Sequence, residues 1–305
     1  MSPVKPILVC MVWRGGDRLS RCLRSIEHAV GYFSRVVISV TSDPDSADVR
    51  IAEAAKRRNP AIEVICTGHE MPTMEHQSFW IDYLQRTGAT RRDWVCWLAY
   101  DDELRVRGID AITDAHGGWP LDDGVSYFGP WAMRGESPEA LWDGDLAAAL
   151  ESWTSFPING PTQLSVPQWV ADQLEQPTYM QMSGSVNPFG AFVDLRAARP
   201  YKRGPMRIEM AIALAPQNRE VREFSEPITI IYGRPDSDRA SYGKTARRED
   251  LHLASRMLRY GVRTPRNLPK LTLTLLRTSW TSIAALFGLR SRAQEEWRVR
   301  GTSLP

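Results

Sequence analysis

The stretch from Asp93 to Leu104, DWVCWLAYDDEL, constrains this chain more than any other. Trp94 to Ala99 is an unbroken apolar run, the pattern of a strand buried on both faces of a parallel sheet, and it stops at three consecutive acids. A strand of that kind needs a layer above and a layer below it, so the chain must build a sheet covered by helices. Asp101, Asp102 and Glu103 are then expected at the carboxyl end of a central strand, the edge at which open α/β sheets bind ligands. Hard carboxylate oxygens gathered there suit Mg2+ or Mn2+, and a cation so held would in turn hold phosphates.

The preceding residues supply the rest of such a sheet. Ile7 to Val12 reads as a strand, Arg14 to Asp17 as a turn, and Leu19, Cys22, Leu23, Ile26 and Val30 as a helical stripe. Val36 to Val40 is a second strand, followed by a polar loop, Thr41 to Ser46, whose acids are expected to cap a helix from about Ala47 to Arg58. Ile62 to Cys66 makes a third strand and His76 to Gln85 a third helix. Three strand-and-helix units and a fourth strand, joined by short connections, predict a mostly parallel sheet. No GxGxxG follows the first strand and no GxxxxGK[ST] occurs, which removes support for the dinucleotide and P-loop folds. The tract from His69 to His76 lacks HExxH spacing and is interrupted by Pro72, so it is no zinc-protease helix.

Beyond Leu104 the rhythm loosens. Val125 to Met133 predicts a strand, Ser137 to Trp153 a helix, 159–179 an irregular lobe, and Ser183 to Val193 a glycine-punctuated strand pair. Arg207 to Leu214 predicts a helix containing Glu209, and Pro227 to Tyr232 a further strand closed by a polar loop. The four cysteines show no metal-ligand spacing and read as reduced thiols of a cytosolic protein. The N-terminal run reads as a strand rather than a signal peptide, and no stretch of about 18 apolar residues suggests a membrane span.

Four segments, ILVCMVWRGGDRLSRCLRSI, ISVTSDPDSAD, WVCWLAYDDEL and EPITIIYGRPDSDRAS, occur in the order of the family 2 inverting glycosyltransferases. The chain resembles that family over about residues 5 to 241. The resemblance implies a GT-A-like fold, with a mostly parallel central sheet flanked by helices. It implies a catalytic domain over 1–245, split into a nucleotide-binding half (1–104) and an acceptor-binding half (105–245), followed by a helical extension over 246–305. It also implies transfer of a sugar from a UDP-, GDP- or dTDP-sugar to a glycan or glycolipid acceptor, as in cell-envelope polysaccharide assembly.

By position, the Val12 to Arg14 edge and Asp43 or Asp45 would contact the base and ribose, with His76, Tyr100 and Lys202 completing the donor contacts. Asp101 and Asp102 would hold Mn2+ or Mg2+, with Asp236 or Asp238 in place of the closing-loop histidine that this chain lacks. Glu209 would stand where the family carries its catalytic base. Apolar neighbours at helical spacing would desolvate its carboxylate and raise its pKa toward the range a base needs. Two positions depart from the family pattern: Ala99 stands where an acid usually precedes the metal ligand, and Met210 where an acid usually follows the base. They suggest an alternative, a non-catalytic nucleotide- or glycan-binding module on the same scaffold.

The charge is divided unevenly. The formal net charge is +2, which by itself suggests no nucleic-acid partner. Residues 251–305 hold ten Lys or Arg against Glu295 and Glu296, a local +8, which leaves −6 on the rest. Within this tail Leu273, Leu276, Trp280, Ile283, Ala284 and Phe287 share one helical face, flanked by Arg263, Arg266, Lys270, Arg290 and Arg292. That composition suits a helix lying in an anionic membrane surface, which would place a cytoplasmic protein on the inner face of the membrane. The same face would equally serve a helix packed on the catalytic domain or on a second subunit.

Overall fold

The computed structural model describes residues 4–123, 125–128, 131–135, 154–156, 163–165, 183–197 and 220–233, together with Leu276. Strand β1 (Ile7–Val12) is buried along its whole length. It pairs in parallel with β2 (Arg35–Val40) on one side and β4 (Trp94–Ala99) on the other, with Val9 opposite Val37 and Trp97. Strand β3 (Ile62–Cys66) lies outside β2 and is only partly covered, as its mixed sequence IEVIC requires. The apolar run of β4 is therefore central, as its composition demands.

The helices between these strands cover both faces. Helix α1 (Gly16–Ala29) buries Leu19, Cys22, Leu23 and Ile26 at helical spacing against Leu8, Cys10, Val12, Cys96 and Leu98. Helix α2 (Ala47–Arg58) begins at Ser46, whose Oγ accepts the Val49 N–H, and ends in Lys56, Arg57 and Arg58, which complement the negative end of the helix. The cap is thus a serine, not the preceding acids. On the opposite face, α3 (Thr73–Arg86) sets Trp80 against Met11. The Met11 sulfur receives the indole N–H of Trp80 at 3.3 Å and of Trp97 at 3.1 Å, so neither buried donor is orphaned.

After β4 the chain forms a short strand β5 (Glu103–Leu104) and then α4 (Val106–His116), which Gly117 closes in the left-handed conformation at φ 67°. The segment expected as one strand from Val125 is two: β6 (Val125–Phe128) and β7 (Trp131–Gly135) lie in different sheets. The intervening Gly129-Pro130 explains the break, because proline has no N–H with which to continue a ladder. Short strands β8 (Thr154–Phe156) and β9 (Gln163–Ser165) follow.

The expected strand pair at Ser183–Val193 is instead strand β10 (Ser185–Pro188) running into helix α5 (Phe189–Ala197). Its first amides are accepted by the loop before β4, Phe189 N–H by the Asp93 carbonyl at 2.7 Å and Gly190 N–H by the Arg91 carbonyl at 3.1 Å. Phe189 and Phe192 then pack on Trp80, with ring centroids 6.4 and 5.1 Å away. With its first turn so enclosed, Phe189 to Val193 offers no polar residue from which a period can be read.

Strands β11 (Glu220–Glu223) and β12 (Thr229–Gly233) complete the described elements. The larger sheet runs β3-β2-β1-β4-β10-β6-β11-β9, with β10 and β9 antiparallel to their neighbours and the rest parallel. A second sheet runs β5-β12-β7-β8. The predicted helices at Ser137–Trp153 and Arg207–Leu214, most of the lobe at 159–179, and all of the tail except Leu276 lie outside the described residues.

Candidate functional site

The carboxyl ends of β1, β2 and β4 form one edge, and the loops leaving them build the site. After β1 the chain turns sharply: Arg14 has φ 51° and Gly16 φ 52°. Such a backbone in a non-glycine residue is uncommon and costs of order 1–3 kcal/mol, so the surroundings must hold it. Asp48, reaching in from α2, does so. Its two carboxylate oxygens accept the Gly15 N–H at 2.8 Å and the Gly16 N–H at 2.9 Å, and its side chain is buried. In a dinucleotide fold the amides of this turn face a pyrophosphate; here they are already engaged by an internal anion, in agreement with the missing glycine motif. The turn is also tight, since a methyl group on Gly15 would lie 2.7 Å from Leu19 Cβ and 3.3 Å from the Tyr100 ring.

The rim of this edge is ionic and aromatic. The exposed Arg14 guanidinium donates twice to the Glu70 carboxylate, at 3.1 and 3.0 Å, and lies 5.1 Å from the ring centre of the exposed Trp13. Hydrogen bonding to Arg14 holds the Glu70 carboxyl below its ordinary range. Glu70 belongs to the loop after β3, which is pinned over the end of β2: the Met71 N–H donates to Thr41 Oγ1 at 2.7 Å.

The acidic turn follows β4. Asp101 is half-buried, whereas Asp102 and Glu103 are buried at 5% and 2% exposure. Glu103 forms an ion pair with Arg21 of α1 at 2.7 Å and in this way holds the loop. The Asp102 N–H donates to the Ala99 carbonyl at 3.1 Å and closes the turn.

The expected donor residues divide into three groups. Arg14, Asp43 and Asp45 are exposed at the strand ends, and Tyr100 lies half-buried against the Gly15 turn. Val12 and His76 are turned into the core. Val12 offers the edge only its carbonyl, which accepts the Thr41 N–H at 3.0 Å. His76 is 1% exposed, with its Nε2 2.8 Å from Ser39 Oγ. Burial lowers the His76 pKa to about 4, so the ring is neutral near pH 7. Lys202, Glu209, Asp236 and Asp238 lie outside the described residues.

Among the described residues no three His, Cys, Asp or Glu side chains converge as a metal cage. A divalent cation of the Mg2+ type does not require one, because it is commonly held by one or two carboxylates together with substrate phosphates and water. Asp101, a hard-oxygen donor at the ligand-binding edge with partial solvent access, fits that manner of binding.

Sequence reasoning missed Asp48, Glu70 and Arg21. Asp48 was legible in principle, since Asp48, Ala52 and Ala55 fall at i, i+4 and i+7 and an acid on the buried stripe of a helix needs a partner inside. Glu70 carries no comparable signal.

No protein-family description and no curated protein matches the sequence. Similarity emerges from the coordinates. The structure of S. aureus TarS 1–349 superposes with a TM-score of 0.54 at 10% identity, covering 96% of this chain and 78% of that one. The fold is GT-A-like. TarS 1–349 in complex with UDP-GlcNAc superposes with a TM-score of 0.53 at 11% identity over 84% of this chain, and this chain spans 66% of that one. Identity at this level speaks for the GT-A-like fold alone and leaves substrate and mechanism to the site.

Proposed function

We propose that the chain is an inverting glycosyltransferase, moving a sugar from a nucleoside diphosphate donor to a glycan or lipid-linked acceptor in cell-envelope polysaccharide assembly. The observation that carries the reading is Asp101. It stands half-buried on a fixed turn at the carboxyl end of the central strand β4, on a fold shared with a chain solved with UDP-GlcNAc.

In this reading the base and ribose lie along Arg14, Asp43, Asp45 and Tyr100, and Lys202 approaches the diphosphate. Mn2+ or Mg2+, held by Asp101 with Asp102 and Asp238, would offset the negative charge that grows on the departing diphosphate. Positive charge develops at the anomeric carbon as that bond breaks. Glu209 accepts the proton of the incoming acceptor hydroxyl from the opposite face of the sugar, which gives inversion. Ala99, which removes one customary acid beside the metal, favours the second reading of a binding module without turnover.

One experiment separates the two. Melting of the full-length protein is followed with UDP-, GDP- and dTDP-sugars, with and without Mn2+, and release of the nucleoside diphosphate, on transfer to an added polysaccharide or lipid-linked acceptor or on hydrolysis to water, is assayed in parallel. A donor at a hundred times its Kd adds about 2.7 kcal/mol to stability. The enzyme reading expects one donor class to raise the melting point more strongly with Mn2+ and to release diphosphate. Glu209→Gln should abolish release while keeping the melting shift. A shift without release in the wild type supports the binding module, and no shift with any donor overturns both.

A further inference from the structure

The turn that carries Asp101 is gripped by one face of α1. Arg21 Nε lies 2.7 Å from Glu103 Oε1, an ion pair whose side chains are 16% and 3% exposed. Arg21 Nη2 donates to the Asp101 carbonyl at 3.2 Å. Next to it, Cys22 Sγ lies 3.7 Å from the Ala99 carbonyl. One turn further, Ser25 Oγ accepts the Leu104 N–H at 3.0 Å while its own hydroxyl donates to the Cys22 carbonyl at 2.7 Å. Arg21, Cys22 and Ser25 therefore hold the chain at Ala99, Asp101, Glu103 and Leu104.

The far side of the same segment is tied to the second sheet. Leu104 pairs with Thr229 and Glu103 with Ile230, and the Arg105 N–H donates to the Ile228 carbonyl at 2.8 Å. The acidic turn is thus strung between α1 and β12, and Arg21 contacts both the Glu103 side chain and the Asp101 backbone. Three adjoining carboxylates repel one another, and a buried one without a cation is costly. The guanidinium neutralises Glu103 and, through a second nitrogen, fixes the peptide that carries Asp101.

We propose that Arg21 is a positioning residue for a divalent cation and diphosphate at Asp101, setting the backbone from which that carboxylate projects without touching the donor. The inference rests on the reading of Asp101 given above. Lysine is a poor substitute, because an ammonium is a compact point charge without the planar fork that meets a carboxylate and a carbonyl at once. Groups that orient a metal ligand are typically worth tenfold to a hundredfold in metal affinity.

The test uses the full chain as wild type, Arg21→Lys and Asp101→Asn. UDP binding is measured calorimetrically with and without Mn2+, and amide hydrogen exchange is followed across 99–104. The expected result for Arg21→Lys is a wild-type circular dichroism spectrum, faster exchange at Asp102 and Leu104, and unchanged UDP affinity without metal. The gain in UDP affinity that Mn2+ provides should fall about tenfold. Retention of the full gain in Arg21→Lys, with its loss in Asp101→Asn, overturns the positioning role and leaves the site reading intact. Retention of the gain in Asp101→Asn overturns the site reading and this inference with it. Should the lysine variant not fold, Arg21→Met/Glu103→Met removes both buried charges together and is put through the same measurement. Loss of the gain then supports the proposal, and full gain overturns it.

Discussion

At the scale of single residues, His76 shows how a side chain of catalytic type can serve the core. Its ring is enclosed beside Ser39, and burial lowers its pKa from 6.5 to about 4. The unfolded chain therefore binds a proton near pH 6.5 that the folded chain refuses until about pH 4. His76 contributes its full share of stability above pH 6.5, and that share is lost as pH falls toward 4. At 1.36 kcal/mol per unit the share is about 3 kcal/mol. Urea unfolding of wild type and His76→Gln between pH 7.5 and 4.5 should show the wild type losing stability relative to the variant as pH falls. A pH-independent difference would contradict the burial of a neutral imidazole. The sequence placed His76 in the right helix but could not tell which way it points, since both the core and the ligand edge lie beside the first turn of α3. Asp101 was legible because an apolar run ending in acids admits few placements. Arg21 and Glu70 were not, because their partners lie 82 and 56 positions away in the sequence.

Elements with a clear period were legible almost to the residue: the apolar runs read as β1, β3 and β4 coincide with the strands. Elements defined by tertiary contacts were not. Helix α5 is enclosed by α3 and the loop before β4, so its apolar run reads equally well as strand or helix. Helix α4 went unread although Ile109, Ile112 and the Gly117 cap mark it, and its docking shows what a sequence cannot display. A Cβ on Gly108 would lie 2.0 Å from the Pro227 carbonyl oxygen, so the helix rests directly on the backbone leading into β12. In an exposed helix interior, Gly→Ala gains about 1 kcal/mol. Here Gly108→Ala should reverse that sign, since forcing an extra carbon into a filled space typically costs about 1–3 kcal/mol. The check is the urea midpoint, which should fall; a rise would mean that α4 does not approach β12 this closely.

For the molecule as a whole, the two sheets meet at the acidic turn, where β5 leaves β4 and pairs with β12. The site therefore depends on elements far apart in the chain, which a strand-by-strand reading cannot assemble. The charge division works at the same scale. Among the described residues no helix is long and apolar enough to cross a membrane. Leu276, the one residue of the tail that the structure describes, is helical and 62% exposed, and it belongs to the apolar stripe inferred from sequence. An exposed leucine on a stripe flanked by basic residues fits a helix that lays one face on a lipid surface. Basic residues near an anionic surface are worth about 1 kcal/mol each, and salt screens them within a Debye length of about 8 Å at physiological ionic strength. Full-length protein should then float with vesicles containing an anionic phospholipid, and a chain truncated at Arg263 should not. Raising the salt should weaken flotation without abolishing it, since the apolar contribution survives screening. Equal flotation of both forms would exclude the tail as the anchor. Flotation of neither would leave the stripe to pack on the catalytic domain or a second copy of the chain.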